Sequence, residues 1–145
     1  MSTQVEPKMG RFSVEIELAN ERDLGRLEDG VITPEQVRRA TVRGLVDSGA
    51  TRLVIPASVA NQLGLKAKRS TKVRYANGQA EIKGIVSPIH LTYGNRDGVF
   101  DAIVEPNRDS ALIGAIVLEA LDLVVDCTNQ RLTPRDPNEI ISEIG

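Results

Sequence analysis

The apolar residues of this chain arrive in short alternating blocks, a pattern that a strand can use and a long helix cannot. In RFSVEIELAN (Arg11–Asn20), Phe12, Val14, Ile16 and Leu18 alternate with polar neighbours, the period of a half-buried strand. VRRATVRGLVD (37–47) begins mixed and ends apolar, as a strand does when it passes from a sheet's edge into its centre. TKVRYANGQAEIKGIV (71–86) holds the strongest short-range hairpin signal of the chain, Asn77-Gly78. SPIHLTYGNRDGVFDAIV (87–104) reads as another strand pair, turning near residues 95–98. The last blocks, SALIGAIVLEALDLVVD (110–126) and QRLTP (130–134), read as strand, short helix, strand, turn and terminal strand. One more short helix is expected in PASVANQLGL (56–65), where Pro56 suits a first turn and Gly64 a stop. The polar, glycine-containing stretch 21–36 is expected to be a surface connection.

With two Phe, two Tyr and no Trp, the core must be filled by Val, Ile, Leu and Ala. Such a β-branched composition, with turn signals at short intervals, favours an all-β class: a small closed or sandwiched structure with one or two short helices. A doubly wound α/β fold would need more and longer helices. At 145 residues the chain makes one domain, expected over residues 11–134, with a flexible segment at 1–10 and a polar tail at 135–145. A net charge of −2 with both signs scattered suggests no nucleic-acid stripe and no membrane-binding face. No apolar stretch of about 18 residues and no export signal is present, so the expected location is cytoplasmic. Cys127, the only cysteine, excludes an internal disulfide and a thiolate zinc cluster, and His90, the only histidine, removes most His-based metal sites. No metal or cofactor is expected. His90 itself sits in VSPIHLTY, a strand position facing solvent or a satisfied partner.

Within RGLVDSGATRLVIP (43–56), Asp47 ends an apolar run and is followed at once by Ser-Gly-Ala. Burying a carboxylate without partners costs several kcal/mol or forces the group to keep its proton. Asp47 is therefore paired, exposed at a turn, or kept for chemistry.

LVDSGA (45–50), the hairpin RYANGQAEIKGIV (74–86) and ALIGAIVLEALDLVVD (111–126) occur in an order and spacing that resemble the retropepsin-like aspartic proteases, over roughly residues 37–134. The resemblance implies a closed β-barrel active as a homodimer, cutting peptide or protein substrates. Two carboxylates close together share one proton, so one can deprotonate water while the other donates to the peptide carbonyl. This chain has one such motif; VDCT (125–128) lacks the glycine and falls where family members carry a non-catalytic aspartate. The partner of Asp47 should then be Asp47 of a second identical chain across a two-fold axis. Ser48 would join the two loops by a hydroxyl hydrogen bond, and Gly49 and Ala50 would shape the loop. Tyr75, Asn77 and Gly78 would form the flap, and Ile113-Gly114 would pass beside the catalytic loop.

The residues also allow plainer accounts: an ordinary turn for Asp-Ser-Gly, a plain hairpin turn for Asn77-Gly78, and a helix-start glycine for Gly114. Where many family members carry a polar residue after that glycine, this chain has Ala115-Ile116. The alternative function on the same fold is a non-catalytic dimer that binds a peptide strand at a sheet edge. For a protease with a Val/Ile/Leu-rich groove, cleavage is expected between apolar residues, with charged residues rejected beside the bond because their desolvation is costly.

Overall fold

The computed structural model describes residues 11–142 and 144–145. The expected flexible segment at 1–10 lies outside the described residues. Among the described residues nine strands follow in chain order: β1 (Arg11–Asn20), β2 (Arg39–Asp47), β3 (Leu53–Pro56), β4 (Arg69–Arg74), β5 (Ala80–Tyr93), β6 (Arg96–Glu105), β7 (Ala111–Ile113), β8 (Leu123–Asp126) and β9 (Arg131–Pro134). The main sheet runs β1-β2-β7-β3-β6-β5-β4, and β5 also pairs with β1, which closes six of its strands into a barrel and leaves β4 outside as an edge. β8 and β9 form a separate two-stranded sheet. Of the two all-β arrangements that the composition favours, closed or sandwiched, this is the closed one, as the family resemblance implies.

Register follows from the alternation. In the antiparallel β1–β2 pair, Phe12, Ile16 and Leu18 lie opposite Val46, Val42 and Ala40, so the apolar face of one strand continues on the other. Ile16, Leu18, Val46, Leu53, Ile55, Ile89, Leu91 and Ile113 are almost completely buried in the core this creates. β5 serves three neighbours. It pairs with β4 before Ser87-Pro88 and with β1 after it, and its register against β6 shifts between Val86 and Ile89. Proline has no N–H to give a ladder, so the break falls there.

Three short helices cover the barrel: α1 (Glu21–Glu28), α2 (Ala57–Gln62) and α3 (Ala115–Ala120). α2 and α3 stand where the sequence places them. α1, with a 3-10 turn at Pro34–Gln36, occupies the stretch expected to be a surface connection. What organises it is polar. The buried Asn20 caps the helix by accepting from the Asp23 N–H (3.1 Å), and its Nδ2 donates to the Leu63 carbonyl (2.9 Å). Asp23, also buried, accepts from Arg38 Nε (2.8 Å), Arg38 Nη2 (2.9 Å), Arg26 Nη1 (2.8 Å) and the Arg38 N–H (3.0 Å). The Arg38 side chain above all holds this carboxyl well below the usual carboxylate range.

The β5–β6 turn is at Gly94-Asn95, with Tyr93 opposite Arg96, rather than near 95–98. Gly98 belongs to the ladder, opposite Leu91, and the Phe100 ring fills the space a side chain there would need. His90 has partners on both sides: Nδ1 lies 2.8 Å from Glu21 Oε1 and Nε2 2.9 Å from Asp97 Oδ2.

Candidate active site

The stretch between β2 and β3 is a loop whose tip the barrel topology pins. β2 and β3 are both paired to β7, parallel to Gly44–Val46 on one side and at Val54 on the other. The chain therefore leaves the barrel at Asp47, turns, and returns two strands away. A turn closes with the Ala50 N–H donating to the Asp47 carbonyl (3.0 Å), and the Gly49 N–H donates to Asp47 Oδ1 (3.0 Å). Gly49 is also tightly placed, since a Cβ there would lie 3.2 Å from the same oxygen. Ser48 is exposed at the tip of the turn.

The end of β7 supports this loop from beside it. The Ala115 N–H donates to the Ala50 carbonyl (2.8 Å) and the Ile116 N–H to the Thr51 carbonyl (2.9 Å). Gly114 makes the approach possible: a Cβ there would come within 2.5 Å of the Arg52 carbonyl oxygen and 2.6 Å of the Thr51 carbonyl carbon. The residue is also the N-cap of α3, so the close approach and the helix start are one feature. Ile113 is buried in the core next to it.

Across from the loop, β4 and β5 form the hairpin expected between residues 74 and 86. Its tip is a turn in which the Gly78 N–H donates to the Tyr75 carbonyl (2.9 Å) and the Tyr75 N–H to the Gln79 carbonyl (2.8 Å), with Gly78 at φ 88°. This is a turn followed by a left-handed glycine, a three-residue hairpin loop in which Gly78 takes a conformation costly for other residues. Asn77 Oδ1 accepts from the Gln79 N–H (2.9 Å). Tyr75 leaves the tip and points back: its hydroxyl donates to Glu105 Oε2 (2.7 Å), and that hydrogen bond pushes the phenol above its ordinary range. Glu105 Oε1 in turn meets Lys83 Nζ at 3.2 Å.

Between loop and hairpin lies a cleft of about 720 Å³. Asp47, Gly49 and Ala50 line one side, Tyr75 and Ala76 the other, and Leu45, Val54, Ile103 and Leu112 are among the apolar residues between them. Asn77, Gly78, Ser48, Ile113 and Gly114 are not part of the lining. The Asp47 side chain is only 16% exposed, and Arg11 Nη2 lies 3.2 Å from its Oδ2.

Arg11, Glu105 and Lys83 escaped the sequence reading. Arg11 meets Asp47 because they are opposite ends of the β1–β2 register, a pairing that spans a helix and a turn and leaves no local signal. The acidic residue of VDCT, Asp126, is elsewhere, on β8, where Asn129 and then Arg131 hold its carboxyl below the usual range. Among the described residues no group of three or more His, Cys, Asp or Glu side chains is placed to hold a metal ion. No helix among them is long and apolar enough to cross a membrane.

A search of curated proteins finds no match. Among solved structures, the chain is similar to the crystal structure of a retropepsin-like aspartic protease from Rickettsia conorii, at 17% sequence identity and a TM-score of 0.44, over 83% of this chain and 91% of that one. A family model described as "gag-polyprotein putative aspartyl protease" matches residues 34–120, from the turn before β2 through α3, and so includes the loop, the hairpin and the Gly114 support. With more than half of its length matched by that model, this chain belongs to the retropepsin-like aspartic protease family.

Proposed function

We propose that this chain is an aspartic endopeptidase in which Asp47 of two identical protomers forms the catalytic pair. The observation that carries this reading is the position of Asp47 in the lining of the cleft, on a loop fixed by its own turn and by the β7–α3 junction. The other acid in that lining, Glu105, is committed to Tyr75 and Lys83. Among the described residues the cleft lining offers no further carboxylate, which supports a second Asp47 brought by a two-fold axis next to the exposed Ser48 turn.

The chemistry needs nothing beyond the pair. One carboxylate takes a proton from water as its oxygen attacks the peptide carbonyl carbon, and the other gives its proton to the carbonyl oxygen. Collapse of the resulting diol breaks the C–N bond as the amine receives a proton. The β4–β5 hairpin closes over the peptide and excludes bulk water, with its tip at Asn77-Gly78. Ser48 hydroxyls link the two loops, and Gly114 keeps each loop in place. Arg11 is more than half exposed, so its ion pair with Asp47 is weak enough for the guanidinium to swing toward solvent.

That same ion pair favours a second reading, a non-catalytic dimer that keeps the cleft for binding a peptide strand, because a neutralised carboxylate suits a binding site. Incubation with a peptide library, with and without a mimic bearing a central hydroxyl, separates the two. Cleavage that the mimic blocks and that Asp47→Asn abolishes supports the protease. Binding without cleavage in the parent supports the second reading.

A further inference from the structure

The cleft carries more positive charge than the chain as a whole. The net charge is −2, yet five cationic side chains line the cleft (Arg11, Arg52, Lys72, Arg74 and Arg108) against two acidic ones, Asp47 and Glu105. Both acids are already engaged, by Arg11 and by Lys83 with Tyr75. Among the described residues, Lys72, Arg74 and Arg108 have no carboxylate within ion-pair distance.

The way β4 borders the cleft gives this charge a spacing. Four consecutive residues of β4, 71–74, line it, followed by Tyr75 and Ala76 of the turn. A strand that turned one face to a cleft would contribute every second residue, so β4 presents its edge. That edge is unpaired, because the sheet ends at β4. Along it the exposure alternates: Thr71 and Val73 are half-buried on one face, while Lys72 and Arg74 are exposed on the other. An extended peptide pairing with this edge places every second side chain beside Lys72 and Arg74, and the ones between beside Thr71, Val73 and Tyr75.

We propose that the preferred substrate is an extended segment alternating acidic and apolar side chains, its acidic residues two apart and facing Lys72 and Arg74. This rests on the proposed peptidase site and adds to it the class of peptide that site accepts. The residues flanking the cut bond remain apolar, since Leu45, Val54, Ile103 and Leu112 line the space beside Asp47. The acidic positions lie further along, where the contacts are solvated and need no costly desolvation.

The test uses peptides with one apolar centre and Glu, Gln or Lys at two positions two apart, scanned along each side of that centre. For the parent, kcat/KM is expected to fall in the order Glu, Gln, Lys at one register, by roughly 1.5- to 5-fold per residue, as for cross-strand charge pairs. The difference should shrink at about 0.5 M salt. The double variant Lys72→Glu with Arg74→Glu, checked for a parent-like melt, should reverse the order. Equal rates for all three sets overturn the inference while leaving the peptidase intact, and an unreversed order in the double variant overturns the assignment to β4. Where no peptide is cut, binding of the same peptides by fluorescence anisotropy decides: Glu over Lys upholds the alternating acidic peptide as the ligand of the β4 edge while its role as a substrate falls with the peptidase reading, and no preference overturns both.

Discussion

Asp23 and Asp47 meet the cost of a largely enclosed carboxylate in opposite ways. Asp23 spends its lone pairs on Arg38, Arg26 and the Arg38 N–H, which leaves it charged and structural. Asp47 receives the Gly49 N–H and the half-exposed Arg11 and still faces a cleft. The difference predicts different mutants. Asp23→Asn should cost about 1–2 kcal/mol of stability at neutral pH, below the loss for a fully buried pair because Arg26 and Arg38 remain half exposed. Since the folded protein lowers the Asp23 value, the stability from its charge is present above the unfolded value of about 3.9 and is lost as pH falls toward the folded one. Urea melts of both proteins should therefore converge as the solution is acidified below about pH 4. A stability gap that is unchanged from neutral to acid pH would contradict the role of the charge. Asp47→Asn should leave stability near the parent's and remove cleavage. Asp47 could be singled out from sequence because a lone acid closed an apolar run, whereas Asp23 sat in a stretch with no such contrast.

At the level of elements, what was legible depended on whether the signal was local. The hairpin announced itself through Asn77-Gly78, α2 through Pro56 and Gly64, and β7 and α3 through the apolar block broken at Gly114. α1 was missed because its apolar stripe is only Leu24 and Leu27, three apart and half-buried, in an otherwise polar stretch with a glycine between them. Its cues were a cap and charges, Asn20 before Glu21 and Asp23, with Arg26 in the last turn, and the ion pairs that anchor it reach fifteen residues forward to Arg38. The turn at Gly94-Asn95 was displaced because Gly98 looked like a turn residue and serves packing. Gly114 also packs, but against backbone rather than a movable ring, so its replacement should be felt at once. Gly114→Ala forces the Thr51-Arg52 segment to shift and should cost about 1–3 kcal/mol. Cleavage should suffer more, by about 100-fold in kcat/KM, because the loop that shifts carries Asp47. A melting curve with a peptide assay checks both, and parent-like cleavage in the Ala variant would remove Gly114 from the support of the loop.

The whole molecule offers the least to a sequence reader, because barrel closure and any second protomer depend on contacts far apart in the chain. Closure rests on β5 reaching β1, Leu18 opposite Leu91, which no local pattern encodes. For the dimer, one surface residue is informative. Ile116, two residues after Gly114, donates its N–H to the loop at Thr51 and is yet 43% exposed. An apolar side chain beside the Asp47 loop suits a contact with a second copy. Ile116→Glu should thus raise the dimer dissociation constant about ten-fold or more while the monomer melts like the parent, as two like charges meet across the axis. Sedimentation that finds the variant dimerising as tightly as the parent would move the contact elsewhere. The central claim, that one site is shared by two chains, has a more direct test in subunit mixing. With parent protein held fixed and Asp47→Asn added to about ten-fold excess under exchange, parent–parent dimers become rare, and cleavage should fall to about a tenth. Cleavage that stays constant throughout the titration would mean that each chain cuts with a site of its own and would contradict the account.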